Sequence, residues 1–494
     1  MSAVRPVPIP ILVPKNKSVA AATPARLGFS LLVALVVGST LGSGIFGLPQ
    51  NMANGAGAGA VLIGWGISGV GMLMLALVYQ MLAVRKPKLD NGVYAYARAL
   101  SGDFVGFNSA WGYWVSAWVG NVGYLVAAFS ALGYFYPAFG EGNTGTAIAG
   151  ASVVLWVVHG LVLRGIQGAA VLNAVVTIAK VVPLLLFIGL VAYAFQMPTF
   201  SLDFWGTEKL GSVLDQVKST MLVTVWVFIG IEGASVYSAR AENRSDVGRA
   251  TITGFGICLA LLMAVSLLSM GILSQPELAA LKNPSMAPVL EKVVGSWGAL
   301  LVYVGLIISV GGGFLAWTLL AAESLFTPAN DGMMPQWLTQ QNAQGVPANA
   351  LWLTNGMVQV FLLITLFSNA SYLVLISLST AMILVPYLFS AAYGLWVASR
   401  SEDTPPSSVA WHRGLDVPVA ALATVYCMWL LYAAGPKYLL LSAVLYAPGA
   451  ALYFWARHEK GQTAFTSTEI VILGALLLIA AGAIYMLASG TLAL

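Results

Sequence analysis

The sequence predicts an all-α polytopic membrane protein with about thirteen transmembrane helices, and three observations carry that prediction. Of 494 residues, 59% are hydrophobic and only 8% are charged, against about 25% charged in a soluble protein. Apolar runs of about 20 residues recur along the chain, the length that crosses about 30 Å of hydrocarbon at 1.5 Å rise per residue. The chain also carries 52 glycines, above the usual share of about 7%. Lys and Arg number 22 against 18 Asp and Glu, in short clusters with no basic stripe interleaved with aromatics. That pattern argues against nucleic acid as a partner. Cys258 and Cys427 both lie inside apolar runs with no CxxC or Cys/His spacing, so no disulfide framework, metal site or other cofactor is expected.

Residues 1–26 hold Pro6, Pro8, Pro10 and Pro14 among Arg5, Lys15, Lys17 and Arg26. They are too proline-broken for a signal-peptide core and read as a flexible cytoplasmic tail. Span one, 27–51, follows directly, and span two, 61–83, ends at the basic cluster Arg85, Lys86, Lys88 and Arg98. Span three is 104–136; span four, 147–163, ends at Arg164; span five is 169–195, followed by Lys209 and Lys218. Span six, 220–239, precedes Arg240, Arg244 and Arg249, and span seven, 250–273, precedes Lys282 and Lys292. Spans eight, nine and ten are 297–326, 350–367 and 372–398, the last followed by Arg400 and Arg413. Span eleven, 417–433, is separated by Lys437 from span twelve, 439–455, which ends at Arg457 and Lys460; span thirteen is 469–487. With the N-terminus inside, sixteen basic residues fall on cytoplasmic segments and five outside, with Lys180 left within a span. Cytoplasmic loops retain Lys and Arg, which fixes this orientation. An odd number of spans then places the C-terminus outside.

Two spans differ from plain Leu/Ala/Val helix. In span one, LVVGSTLGSGIFGLP places Gly38, Gly42, Gly44 and Gly47 within ten residues, more backbone freedom than an unbroken helix needs. In span six, VWVFIGIEGASVYS places Gly230, Glu232 and Gly233 at mid-membrane depth. Backbone that leaves the helix inside hydrocarbon is tolerated where it lines a cavity, and broken helices at corresponding positions of two halves mark a transporter binding site. Glu232 is the one carboxylate placed deep in the membrane, a functional-site candidate by its insertion cost of about 2.5 to 3.5 kcal/mol; the competing reading is a protonated Glu packed between helices. Lys180 is the one buried base, and its competing reading is a side chain snorkelling to the inner face that Arg164 marks.

Several motifs are set aside. GSGIFG, from Gly42 to Gly47, fits the letters of the dinucleotide fingerprint but lacks its soluble strand-turn-helix setting and its acid about 20 residues on. GISG, from Gly66 to Gly69, resembles the serine motif of intramembrane rhomboid proteases, with His159 two spans later; a lone membrane histidine is more often a packing residue. GAGAGA from Gly55 reads as a turn, and most of the 15 Trp as interfacial anchors.

The motifs GSGIF, GVYAYARA at Gly92 to Ala99, FIGIEGAS, WTLLAAES at Trp317 to Ser324, DGMMP at Asp331 to Pro335 and LVPYL at Leu384 to Leu388 together resemble the amino acid/polyamine/organocation transporters. Within that superfamily the chain is similar to the basic amino acid/polyamine antiporters. GSGIFGLPQNMA, FNSAWGYWVSAWVGNVGYLV and FGEGNT look most like the arginine/ornithine antiporters, where thirteen spans are also expected. The resemblance implies a LeuT-type 5+5 inverted repeat with helices one and six discontinuous: a first repeat 27–195, an outer loop 196–219, a second repeat 220–398 and C-terminal spans within 399–494. It implies a substrate between the two breaks, its α-carboxylate on the amides of Ser43 and Gly44, which open a helix and favour an anion. The α-amino group would meet carbonyls near Thr40, Trp226 and Ile229. The cationic side chain would lie toward Asn121 and Ser379, with Trp317 beside its aliphatic stem, Trp226 as a lid and Glu232 as a proton-sensitive gate. Two third-span positions depart from the arginine/agmatine exchangers, with Ala117 and Tyr124 in place of Cys and Met, so the pocket differs in shape. A fifth-span lysine such as Lys180 occurs in proton-coupled relatives in place of sodium, so sodium coupling is not expected.

The expected activity is alternating-access exchange of arginine for ornithine in a bacterial inner membrane, with no catalytic residue; the resemblance leaves a homodimer open. Exchange of lysine, histidine or agmatine, proton-coupled uptake through Glu232 or Lys180, and an intramembrane enzyme using Ser68 and His159 stay as rivals.

Overall fold

The computed structural model describes residues 28–89, 93–165, 169–231, 244–368, 370–400 and 413–492. The described chain is helical throughout, as hydrocarbon requires, since every backbone polar group must find its partner within its own segment. Among the described residues nine helices are long and apolar enough to cross a membrane, ten when a bent pair in span one is counted. The protein is a multi-pass membrane protein.

Span one breaks where its glycines cluster. Helix α1, Phe29–Thr40, gives way to extended backbone at Leu41 and Gly42, then a 3-10 turn at Ser43–Gly47 and helix α2, Leu48–Ala53, with a 49° bend between the halves. Helix α3, Ala58–Arg85, is span two, and the nine-residue α4, Val93–Ser101, leads into α5, Asp103–Gly133. Helices α6, Gly145–Leu163, and α7, Ala169–Ala194, are spans four and five, Thr144 capping the first through the Ala147 amide at 3.2 Å. A short α8, Met197–Ser201, precedes α9, Val213–Trp226, capped by Ser212. From Val227 to Ile231 the chain leaves the α-helix, and Gly230 takes φ 106. The rest of the expected span six, including Glu232, lies outside the described residues.

Span seven is α10, Arg244–Ser269, followed by α11, Gln275–Ala279, and the nine-residue α12, Met286–Val294. Helices α13, Ser296–Asn330, α14, Ala348–Ser368, and α15, Tyr372–Ser399, are spans eight to ten. Expected spans eleven and twelve form α16, Asp416–Tyr446, and α17, Gly449–Glu459. Between the two expected spans there is no loop but a bend at Gly435, φ 73 and ψ 168, next to Pro436, which cannot donate an amide to the helix. Helix α18, Ser467–Ala488, is span thirteen.

The core is built around α5, the most enclosed of the apolar helices, which packs on α13 and α15. The helix contacts are paired: span one touches seven and span six touches two, five touches eight and ten touches three, five touches seven and ten touches two. Spans two and seven, three and eight, and four and nine touch each other directly.

At one end of the helical bundle, α2 is fastened to the segment around α11 by uncharged groups. Asn283 Nδ2 donates to Gln50 Oε1 and Asn51 Oδ1, each at 2.9 Å, Ser285 Oγ accepts from the Gln50 amide at 3.0 Å, and Gln275 donates to the Ala53 carbonyl at 2.6 Å. Ser130 of α5 donates to the Asn283 carbonyl at 2.5 Å. The opposite end is tied by charge: Asp103 accepts from Arg98 at 2.8 Å and from Arg457 at 3.0 Å, and Arg85 pairs with buried Asp416.

Candidate functional site

The break in α1 faces the end of α9 across a small cavity of about 20 Å³, room for one or two waters. Thr40, Gly42, Gly44, Tyr124, Trp226, Val227, Ile229 and Trp317 line it. Of the residues expected to form a site, Thr40, Gly44, Trp226, Ile229 and Trp317 therefore share one space.

Trp226 fills most of that space. A methyl group built on Gly44 would lie 2.7 Å from Trp226 Cδ1 and Nε1, and one built on Gly120 of α5 would lie 3.0 Å from the far edge of the same ring. The indole thus bridges two helices at points where only glycine leaves room. Tyr124 stands beside it, ring centroids 6.1 Å apart.

Thr40 commits its hydroxyl to the Val36 carbonyl at 2.8 Å, so the carbonyls at the end of α1 must be satisfied otherwise. Lys180 meets this need at Gly38, its Nζ donating to the carbonyl at 2.5 Å. Lys180 is only 8% exposed, which corrects the snorkelling reading: the amine turns inward because the helix break leaves an unpaired acceptor beside it. Ser43 lies 4% exposed at the start of the second half, with no hydrogen-bond partner for its Oγ.

Asn121 and Ser379 sit behind the lining. Asn121 Nδ2 donates to Thr318 Oγ1 at 3.3 Å, leaving its buried Oδ1 without a donor. Ser379 donates to the Ser116 carbonyl at 2.7 Å and so joins α15 to α5; its Oγ lies 3.3 Å from a methyl built on Gly120. Tyr372 and Gly120 were not among the expected site residues, and Tyr124 was expected only as a departure that changes the pocket's shape. Tyr124 carried a readable signal, because it follows Asn121 by three residues and so shares its helix face. Tyr372 and Gly120 carried none.

The protease reading fails on geometry. Ser68 bonds Thr224 Oγ1 at 2.6 Å, whereas His159 Nδ1 bonds Asn355 at 3.0 Å, so serine and histidine serve different helix contacts. Among the described residues no cluster of His, Cys, Asp or Glu could hold a metal ion.

Comparison with known proteins extends this geometry. The chain is 57% identical over 477 residues to an arginine/ornithine antiporter of Pseudomonas aeruginosa, covering 95% of this chain and 98% of that protein. It is 44% identical to an L-lysine transport protein of Corynebacterium glutamicum, over 96% of this chain and 98% of that protein. An arginine/agmatine antiporter of Chlamydia pneumoniae is 42% identical, over 94% and 97%. A family model described as amino acid permease matches residues 27–473. The match runs from the break-bearing first span into the last one, and the chain belongs to the amino acid permease family.

Proposed function

We propose that this permease exchanges arginine for ornithine by alternating access. The observation that carries the reading is the 57% identity, over 95% of the chain, to a protein named arginine/ornithine antiporter. Membership of an amino acid permease family makes the chain a transporter and not an enzyme. Arginine and ornithine each carry one net positive charge, so one-for-one exchange moves no net charge and is driven by the two concentration gradients alone.

The architecture proposed is the LeuT-type inverted repeat, 27–195 against 220–398, joined by 196–219 and followed by three further spans to give thirteen. The paired contacts of spans n and n+5 support it, as does the break in span one opposite the one that starts after α9. The N-terminus would face the cytoplasm and the C-terminus the outside of a bacterial inner membrane.

In the proposed site the substrate's α-carboxylate takes the amides of Ser43 and Gly44, which open the helical run to Ala53. Its α-amino group takes the carbonyls of Thr40, Trp226 and Ile229, and its cationic end reaches the Asn121 amide oxygen and Ser379. Trp317 flanks the stem. The cavity is far smaller than any amino acid, so Trp226 must swing aside and then close over the substrate, a cation-π contact worth about 0.5 to 2 kcal/mol. Lys180, bound to the carbonyl just before the break, and Glu232 are the proposed proton-sensitive gating groups.

A second reading, exchange of another basic amino acid such as lysine, is favoured by the 44% identity to the L-lysine transport protein. Uptake of labelled arginine into proteoliposomes loaded with ornithine, arginine, lysine or buffer separates the two. Uptake only against arginine or ornithine supports the proposal, whereas strong uptake into buffer-loaded vesicles replaces exchange by uniport or proton symport.

A further inference from the structure

We propose that Tyr446, which lies outside both proposed repeats, is a positioning residue for transport. Its hydroxyl stands in for the backbone donor that span ten lacks at Pro386 and so fixes the seat of Ser379. The inference rests on the exchange reading above, which places Ser379 at the cationic end of the substrate, and adds how the C-terminal spans reach that contact.

An α-helix pairs each carbonyl with the amide four residues on, and Pro386 inside α15 has no amide to offer the Met382 carbonyl. Hydrocarbon supplies no water in its place, so a proline inside a span is tolerated where a neighbour satisfies the freed group. Tyr446 is that neighbour. From the end of α16 its Oη donates to the Met382 carbonyl at 2.9 Å, in a buried bond. The bond runs past Gly112 of α5, where a built methyl would overlap the Tyr446 hydroxyl and lie 2.8 Å from the Met382 carbonyl oxygen. Trp111 beside it donates its indole N–H to the Leu445 carbonyl at 2.9 Å, one of the carbonyls that the last turn of α16 leaves without a helical partner. Helices α5, α15 and α16 therefore meet at one carbonyl.

That carbonyl lies one helical turn from the bond between Ser379 and Ser116. Met382 follows Ser379 by three residues on α15, and Gly112 precedes Ser116 by four on α5, about 4.5 and 6 Å along the two axes. Ser379 donates to the Ser116 carbonyl, and its Oγ lies beside Gly120, whose other neighbour is the Trp226 ring. Gly112, Ser116 and Gly120 are spaced by four and so share one face of α5. Tyr446 holds α15 at the first of these positions and Ser379 holds it at the second. Without the Tyr446 hydroxyl, the Met382 carbonyl is buried and unpaired, and α15 must turn it toward another donor. The turn of helix that moves with it carries Ser379. Neither Tyr446 nor Gly112 lines the cavity, so the effect reaches the substrate through α15.

The test uses the full chain in ornithine-loaded proteoliposomes and reads KM and maximal rate for labelled arginine. Tyr446→Phe keeps the ring and removes the hydroxyl. It should raise the arginine KM about tenfold, the low end of what an unpaired buried carbonyl costs, with the maximal rate changed less than about twofold. Pro386→Ala returns an amide to the Met382 carbonyl, so adding Tyr446→Phe in that background should leave KM within about twofold of the Pro386→Ala value. An unchanged KM in Tyr446→Phe, whether the melting temperature or the maximal rate falls, makes Tyr446 a packing residue and overturns the proposal. The same rise in KM with and without Pro386 overturns it too. Should Tyr446→Phe give no folded protein, Gly112→Ala takes its place, since its methyl displaces the hydroxyl, and an unchanged KM there is equally fatal. If arginine is not exchanged but another amino acid is, the exchange reading fails on its own, and the same variants measured with that amino acid decide the role of Tyr446 separately.

Discussion

Gly102 and Gly295 hold the same backbone conformation, φ 87 with ψ −176 at the first and φ 86 with ψ −173 at the second. Each closes a nine-residue helix, α4 or α12, and opens a long span, α5 of 31 residues or α13 of 35, and the two spans pack on each other. The shared corner before spans three and eight is what the proposed internal repeat requires of equivalent positions.

Both glycines lie in a region of φ and ψ that other residues reach only with strain, and a methyl at either would touch nothing within 4 Å. The cost of Gly102→Ala or Gly295→Ala is then purely conformational, about 1 to 3 kcal/mol each. The expected result is two similar drops in melting temperature that add in the double variant; a neutral substitution at either position would show that the turn relaxes.

Gly44→Ala places a methyl 2.7 Å from the Trp226 indole. The ring must leave its present seat, so the substitution should abolish exchange at a stability cost of about 1 to 3 kcal/mol, typical of an overpacked core. Tryptophan fluorescence and arginine uptake measured on the same preparation would test this, with unchanged uptake as the contrary outcome.

Removing the Lys180 amine leaves the Gly38 carbonyl without its donor in a medium that offers no water. Lys180→Met should cost about 1 to 3 kcal/mol and slow exchange, while Lys180→Arg keeps a donor and part of the rate. Melting and uptake measured together would show whether the amine does more than satisfy the helix end: equal losses of rate in the Met and Arg variants would mean that the ammonium itself is needed.

Arg85 and Asp416 form an ion pair whose side chains are 10% and 1% exposed. Losing one partner of a buried pair costs about 3 to 5 kcal/mol, whereas replacing both by apolar groups is often neutral. Arg85→Met should therefore melt several degrees lower, and Arg85→Met with Asp416→Leu should recover most of the loss.

Ser274 and its backbone amide hold the exposed Glu277 carboxyl below its usual range. A depressed value stabilises the cap fully above the unfolded carboxylate value and loses that contribution as pH falls through the folded one. Hydrogen exchange in Gln275–Ala279 should stay constant from neutral pH down to about 4.3 and, after correction for intrinsic rates, rise only below it.

Local signals were legible in the sequence and long-range ones were not. Gly42 and Gly230 announced the two breaks, because a glycine inside an apolar run acts on its own backbone. Thr40, Gly44, Trp226, Ile229 and Trp317 were named from motif resemblance, and they do meet. Tyr372 could not be found that way, since its place depends on how the start of α15 approaches the break in span one. The partner of Lys180 lies 142 residues away, and the amides that meet Asn283 lie more than 230 away; no periodicity encodes such pairings. The bend at Gly435 was read as a boundary between two spans, and a single φ of 73 shows how little chain that boundary uses.

The chain from 27 to 84 contains no Asp, Glu, Lys or Arg, and the side chains that fasten α2 to the segment around Asn283 are amides and a hydroxyl. A displaced charge feels about 2.3 kcal/mol for every 100 mV across the bilayer. When the first two spans shift or α2 parts from Asn283, no formal charge on those spans travels with them. The membrane voltage therefore acts on that movement only through charge carried by the bound substrate or by neighbouring groups such as Lys180, not through charge on these two spans themselves.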